Sequence, residues 1–128
     1  MSIYYNLEVW KVAHALVLNV HSHVKGIRGS EYPSLKSQML RAAMSVPTNL
    51  VEGSGQQSPR EFCRFIRIAL NSSSELEYHL LLARDLTLLE ALVHKELDAK
   101  TVEVKRMLAS MIASLQQKSR PRRLQPDT

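Results

Sequence analysis

Three arginines, Arg60, Arg64 and Arg67, recur at intervals of four and three, a spacing that stacks their guanidinium groups along one face of a helix. Guanidinium forks bind phosphate oxygens bidentately, and Tyr78, farther along the same face, could stack on a base. No acidic residue is expected to interleave the first two turns of this stripe. A solvated helix face carries the same pattern, so contact with an anionic backbone and simple solvation both stay open. A second constellation, Arg41, Ser45, Asn49 and Glu52, steps by four, four and three along the edge of another helix. If buried, such a row must satisfy its own hydrogen bonds, with Arg41 and Glu52 as charged ends, so it reads as an internal polar network rather than a catalytic centre. Glu77 and Arg84 interrupt the apolar arc of the helix that carries Tyr78. Because an isolated buried charge is costly, each is expected to pair with the other's neighbours or with that polar row.

Catalytic chemistry finds little footing. His14, His21 and His23 have no carboxylate or thiolate partner at zinc-ligand spacing, and the Glu-x-x-His signature of di-iron bundles is absent from the sequence. The turn Gly53, Ser54, Gly55 lacks the lysine and the preceding strand of a phosphate-binding loop. Glu77 has no identifiable nucleophile with which to act as an acid or base. The expectation is a protein that is not an enzyme and uses no metal and no cofactor.

The elements that must position these residues follow from periodicity. Apolar residues make up 45% of 128 residues, with no clean alternating run and no apolar stretch of bilayer-spanning length, so the class is all-α and no membrane partner is expected. A first helix over about 6–25, with Asn6 as its N-cap, buries Val9, Trp10, Ala13, Leu16, Val17, Val20 and Val24. Leu7, Val12, Ala15 and Leu18 form a second apolar strip on it, which points to contact with another subunit or to scattered surface aliphatics. A second helix over about 33–53 opens on Pro33, is expected to kink at Pro47, and ends in a left-handed turn at Gly53 and Gly55. A third over about 59–87 starts at the capping box Ser58, Pro59, Arg60, Glu61. Its end, from His79 through Leu89, is apolar nearly all round and must be covered on more than one side. A fourth over about 94–118 closes the bundle with Leu97, Val104, Met107, Leu108, Met111, Ile112 and Leu115.

Residues 1–118 thus read as one domain and 119–128 as a disordered basic tail carrying Arg120, Arg122 and Arg123. The net charge is +5, a modest excess that permits an anionic partner without requiring one. The single Cys63 agrees with a reducing, cytoplasmic compartment, and the first ten residues show no export signal.

Four stretches are distinctive in combination: Leu7, Glu8, Val9, Trp10 with Ala13; the block from Gln38 to Ala43 leading into Ser45, Val46, Pro47, Thr48, Asn49, Leu50, Val51, Glu52, Gly53; Glu61 and Phe62 through Ile68 and Ala69; and Glu75, Leu76, Glu77 with Leu80. Together they resemble the four-helix-bundle family of 23S ribosomal RNA intervening-sequence proteins. The sequence departs from the family pattern at Asn71, Ser72, Ser73, where a glycine-serine pair is usual, and in the longer connection from Lys25 to Glu31. The resemblance implies a left-handed, up-and-down antiparallel four-helix bundle that assembles as a ring, typically a homopentamer, with no enzymatic activity. It also implies a nucleic-acid role, since the family is encoded within inserts in ribosomal RNA genes and is similar to accessory variability proteins that partner retroelement reverse transcriptases. The leading expectation is non-specific binding of RNA or DNA through Arg60, Arg64, Arg67, Tyr78 and the tail arginines. The alternative is a scaffold for a protein partner, with no nucleic-acid role.

Overall fold

The computed structural model describes residues 4–27 and 32–119. Four α-helices, α1 (Glu8–Val24), α2 (Pro33–Ser54), α3 (Pro59–Asp85) and α4 (Ala91–Ser119), follow a short 3-10 helix at Tyr4–Asn6. Consecutive helices are neighbours and α1 closes on α4, while α1 and α3, like α2 and α4, face each other across the core. The pairing is antiparallel. Ser45 of α2 meets Ser72 of α3, and Gly53, near the end of α2, abuts Phe62 and Phe65, near the start of α3. Each helix buries one stripe at the three-and-four spacing. Leu16, Met39, Leu50, Ile66, Leu76, Leu80, Leu97 and Leu108 are almost completely enclosed, each contributing roughly 1.5–3 kcal/mol relative to exposure.

The helix ends differ in instructive ways from the sequence reading. Asn6 is not the cap of α1: it belongs to the 3-10 helix, whose Tyr4 O accepts from Leu7 N–H at 2.9 Å, and Leu7, which has no side-chain acceptor, takes the cap position without a side-chain bond. The glycines after Pro47 play another part than a left-handed turn. Gly55 caps α2 in right-handed geometry, φ −85°, and Gly53 is buried inside the helix. A Cβ on Gly53 would stand 2.8 Å from both Phe62 Cδ1 and Phe65 Cβ, so glycine is there to let α3 close on α2. The helix continues through Pro47, which is itself buried.

Helix α3 stops at Asp85, two residues before the expected end. Leu88 N–H bonds Ala83 O at 2.8 Å and Thr87 N–H bonds Arg84 O at 2.9 Å. Those two bonds form a Schellman closure. The residue in its left-handed position is Thr87, φ 59°, where glycine is usual. The chain then re-enters helix at Ala91, three residues before the expected start, with His94 N–H accepted by Glu90 O. Residues 120–128, with Arg120, Arg122 and Arg123, lie outside the described residues, as do 28–31 of the first connection. Lys36 Nζ donates to the carbonyl oxygen of the buried Ile27 at 2.9 Å. Among the described residues, no helix is long and apolar enough to cross a membrane.

Candidate nucleic-acid interface

Ser58 places the start of α3, its Oγ accepting from Glu61 N–H at 3.1 Å. That start fixes the azimuth of every residue on the helix. Arg60, Arg64 and Arg67 all emerge exposed, and together they line an open groove of about 570 Å³ with Glu61, the buried Cys63, and Gln116 from α4. The arginines therefore do share a site, and the site belongs to the seam between α3 and α4 rather than to α3 alone. An acidic residue does interleave the stripe. Glu61 Oε2 lies 3.4 Å from Arg64 Nε, and the Arg64 guanidinium also sits 4.6 Å from the centre of the Phe65 ring. With both partners about half exposed, such a pair is weak and easily displaced by a phosphate. Arg60 and Arg67 make no ion pair among the described residues, so two of the three guanidinium groups are uncommitted.

Tyr78 is 59% exposed. It follows Arg60 by about five helical turns, which returns it to the same azimuth roughly 27 Å along the axis. There the α3/α4 seam opens again into a cleft of about 450 Å³. Between groove and cleft the seam is crossed by Lys105 Nζ, 3.0 Å from Glu77 Oε1. Arg84 does not join Glu77 or the α2 row: it is exposed and donates from Nε and Nη2 to its neighbour Asp85 at 3.1 and 3.0 Å. The structure thus resolves the two charges that break the apolar arc into one pair across the seam and one local pair.

The polar row on α2 is split by burial. Ser45 Oγ lies 2.7 Å from Ser72 Oγ, and Asn49 Nδ2 donates to Ser45 O and Oγ at 2.8 and 3.0 Å. This three-residue knot is the internal network. Arg41 and Glu52, the expected charged ends, point to solvent and make no ion pair among the described residues. Ser72, which completes the knot, lies in the stretch Asn71, Ser72, Ser73 where the sequence departs from the family pattern, but no spacing along one helix ties it to Ser45. Arg41 instead faces a shallow polar hollow that it shares with Gln38, Ser45, Ser72 and Glu75.

The histidines of α1 do not converge. His14 stacks flat on Trp10, ring centres 4.9 Å apart at 7°. Among the described residues, no group of three His, Cys, Asp or Glu side chains is disposed to hold a metal ion. His79 is buried with Nδ1 unpartnered, and His94, at the Tyr78 cleft, holds Nε2 away from water without a partner.

Fold and seam together define an antiparallel helical bundle with a cationic groove at one end of one helix pair. The chain belongs to the 23S rRNA-intervening sequence protein family, whose pattern matches residues 5–110. No curated protein matches it. Among solved structures it is similar to a protein of unknown function from the S23 ribosomal protein family of Bacteroides thetaiotaomicron VPI-5482, with a TM-score of 0.77 at 22% identity. That likeness covers 82% of this chain and 95% of the other, and at this identity it is a likeness of fold.

Proposed function

We propose that this protein is a non-enzymatic, oligomeric helical bundle that binds RNA or DNA chiefly through the phosphate backbone, with the groove of Arg60, Arg64 and Arg67 as its principal contact. The observation that carries the reading is the convergence of three exposed guanidinium groups on one groove, two of them without an ion-pair partner among the described residues. Membership of a family named for ribosomal RNA inserts supports the same class of partner. Arg120, Arg122 and Arg123, outside the described residues, supply three further positive charges in the sequence for the same class of partner. Assembly into a ring, a homopentamer on the family resemblance, would repeat the groove around an axis and turn a weak patch into a strong one. Exposed Leu18, Met44 and Leu92 are available to subunit contacts. Affinity dominated by phosphate contacts falls steeply with salt, and titration of ribosomal RNA fragments against salt tests the reading.

A second reading, a scaffold for a protein partner, draws on a different surface. Leu7, Val9, Met107 and Met111 line an apolar groove of about 460 Å³ between α1 and α4. Recovery of a protein partner that resists nuclease treatment, from a variant lacking the three arginines, would favour it.

A further inference from the structure

The cleft at the far end of the α3/α4 seam differs in chemistry from the arginine groove. Its walls are the exposed ring of Tyr78, Leu81, the carboxylates of Glu77 and Asp98, His94 and Arg84. Glu77 is committed to Lys105 and Arg84 to Asp85, whereas Asp98 makes no hydrogen bond or ion pair among the described residues. The His94 ring makes no hydrogen bond among the described residues either, so nothing polar holds it against turning toward a bound molecule. An uncommitted carboxylate repels phosphate. It accepts hydrogen bonds from the N–H edge of a base, and an aromatic ring beside it offers a stacking face to any base.

We propose that this cleft is a nucleobase pocket, in which a base of a single-stranded nucleic acid stacks on Tyr78 and presents its amino edge to Asp98 while the strand's phosphates lie in the Arg60, Arg64, Arg67 groove. The proposal rests on the backbone-binding reading above and adds to it a strand class and a base preference. The separation of roughly 27 Å between Arg60 and Tyr78 along α3 matches a few nucleotides of extended strand. A duplex cannot use the cleft, because its bases are stacked and paired. Guanine suits Asp98 best, since its N1–H and exocyclic N2–H donate in parallel to one carboxylate, and uracil offers no amine.

The test is fluorescence anisotropy with end-labelled short RNA strands of mixed guanine and uracil, all-uracil strands, and a duplex of the same length, using the full chain. Wild type should bind the guanine-containing strand about tenfold more tightly than the duplex, the scale of one stacked base. Tyr78→Ala should erase that advantage with duplex affinity unchanged, and Tyr78→Phe should keep it. Asp98→Asn should remove the preference for guanine over uracil without weakening the uracil strand. If Tyr78→Ala and Asp98→Asn bind single strands as wild type does, while the Arg60/Arg64/Arg67 triple alanine variant loses affinity, the pocket is refuted and the groove survives. If wild type binds none of the three RNAs, both fall together.

Discussion

Lys105 Nζ stands 3.0 Å from Glu77 Oε1 and ties α4 to α3 on the groove side of the Tyr78 cleft, whose wall Glu77 forms in part. With side chains 28% and 34% exposed, the pair is largely shielded yet still in contact with solvent, so its coupling is modest. A double-mutant cycle of Lys105→Met and Glu77→Gln, read by urea denaturation, should return a coupling of about 0.5–1 kcal/mol. A coupling indistinguishable from zero would mean that the two helices are registered by packing alone.

Glu61 competes with phosphate for Arg64. Replacing it by Gln removes one negative charge from the groove and leaves the Ser58 cap intact, since that cap uses the Glu61 backbone N–H. Glu61→Gln should tighten RNA binding by roughly two- to fivefold at low salt, with the gain fading as salt screens the groove. Unchanged or weaker binding would show that Glu61 does not limit the site.

Gly53 sits where the start of α3 crosses the end of α2. A methyl group there meets Phe62 and Phe65 at 2.8 Å, and Phe65 Cβ cannot swing aside as a flexible side-chain tip would. Gly53→Ala should cost about 1–3 kcal/mol, despite alanine's better helix propensity, through overpacking. Chemical denaturation decides the sign.

Thr87 holds a left-handed conformation that a β-branched residue adopts only under strain. Thr87→Gly should stabilise the protein by about 1 kcal/mol, because relief of that strain exceeds the entropy that glycine adds to the unfolded chain. The measurement is a rise in Tm. A fall would mean that the Thr87 hydroxyl, which donates to Leu86 O at 2.6 Å, matters more than the strain.

What the sequence made legible was whatever depends on spacing along one helix. Val9, Ala13, Leu16, Val20 and Val24 are buried as the period demands, and Arg60, Arg64 and Arg67 share a face as four-and-three spacing requires. What it hid depends on pairing between helices. Lys105 as partner of Glu77, Ser72 as partner of Ser45, and Asp98 and His94 beside Tyr78 are all set by the antiparallel register, to which no local pattern points. Gly53 misled for the same reason: near a helix end glycine usually signals a turn, whereas here it answers to two phenylalanines on the next helix. Thr87 gave no warning because nothing in its residue type favours a left-handed cap.

In the proposed function the α3 arginine groove binds the nucleic-acid backbone. The most direct test compares the affinity of wild type and of the Arg60/Arg64/Arg67 triple alanine variant for ribosomal RNA fragments across a salt series. The proposed function predicts at least a tenfold loss for the variant and a shallower dependence of log affinity on log salt, by up to about three phosphate contacts for each groove engaged. Equal affinity and equal slope for the two proteins would contradict it.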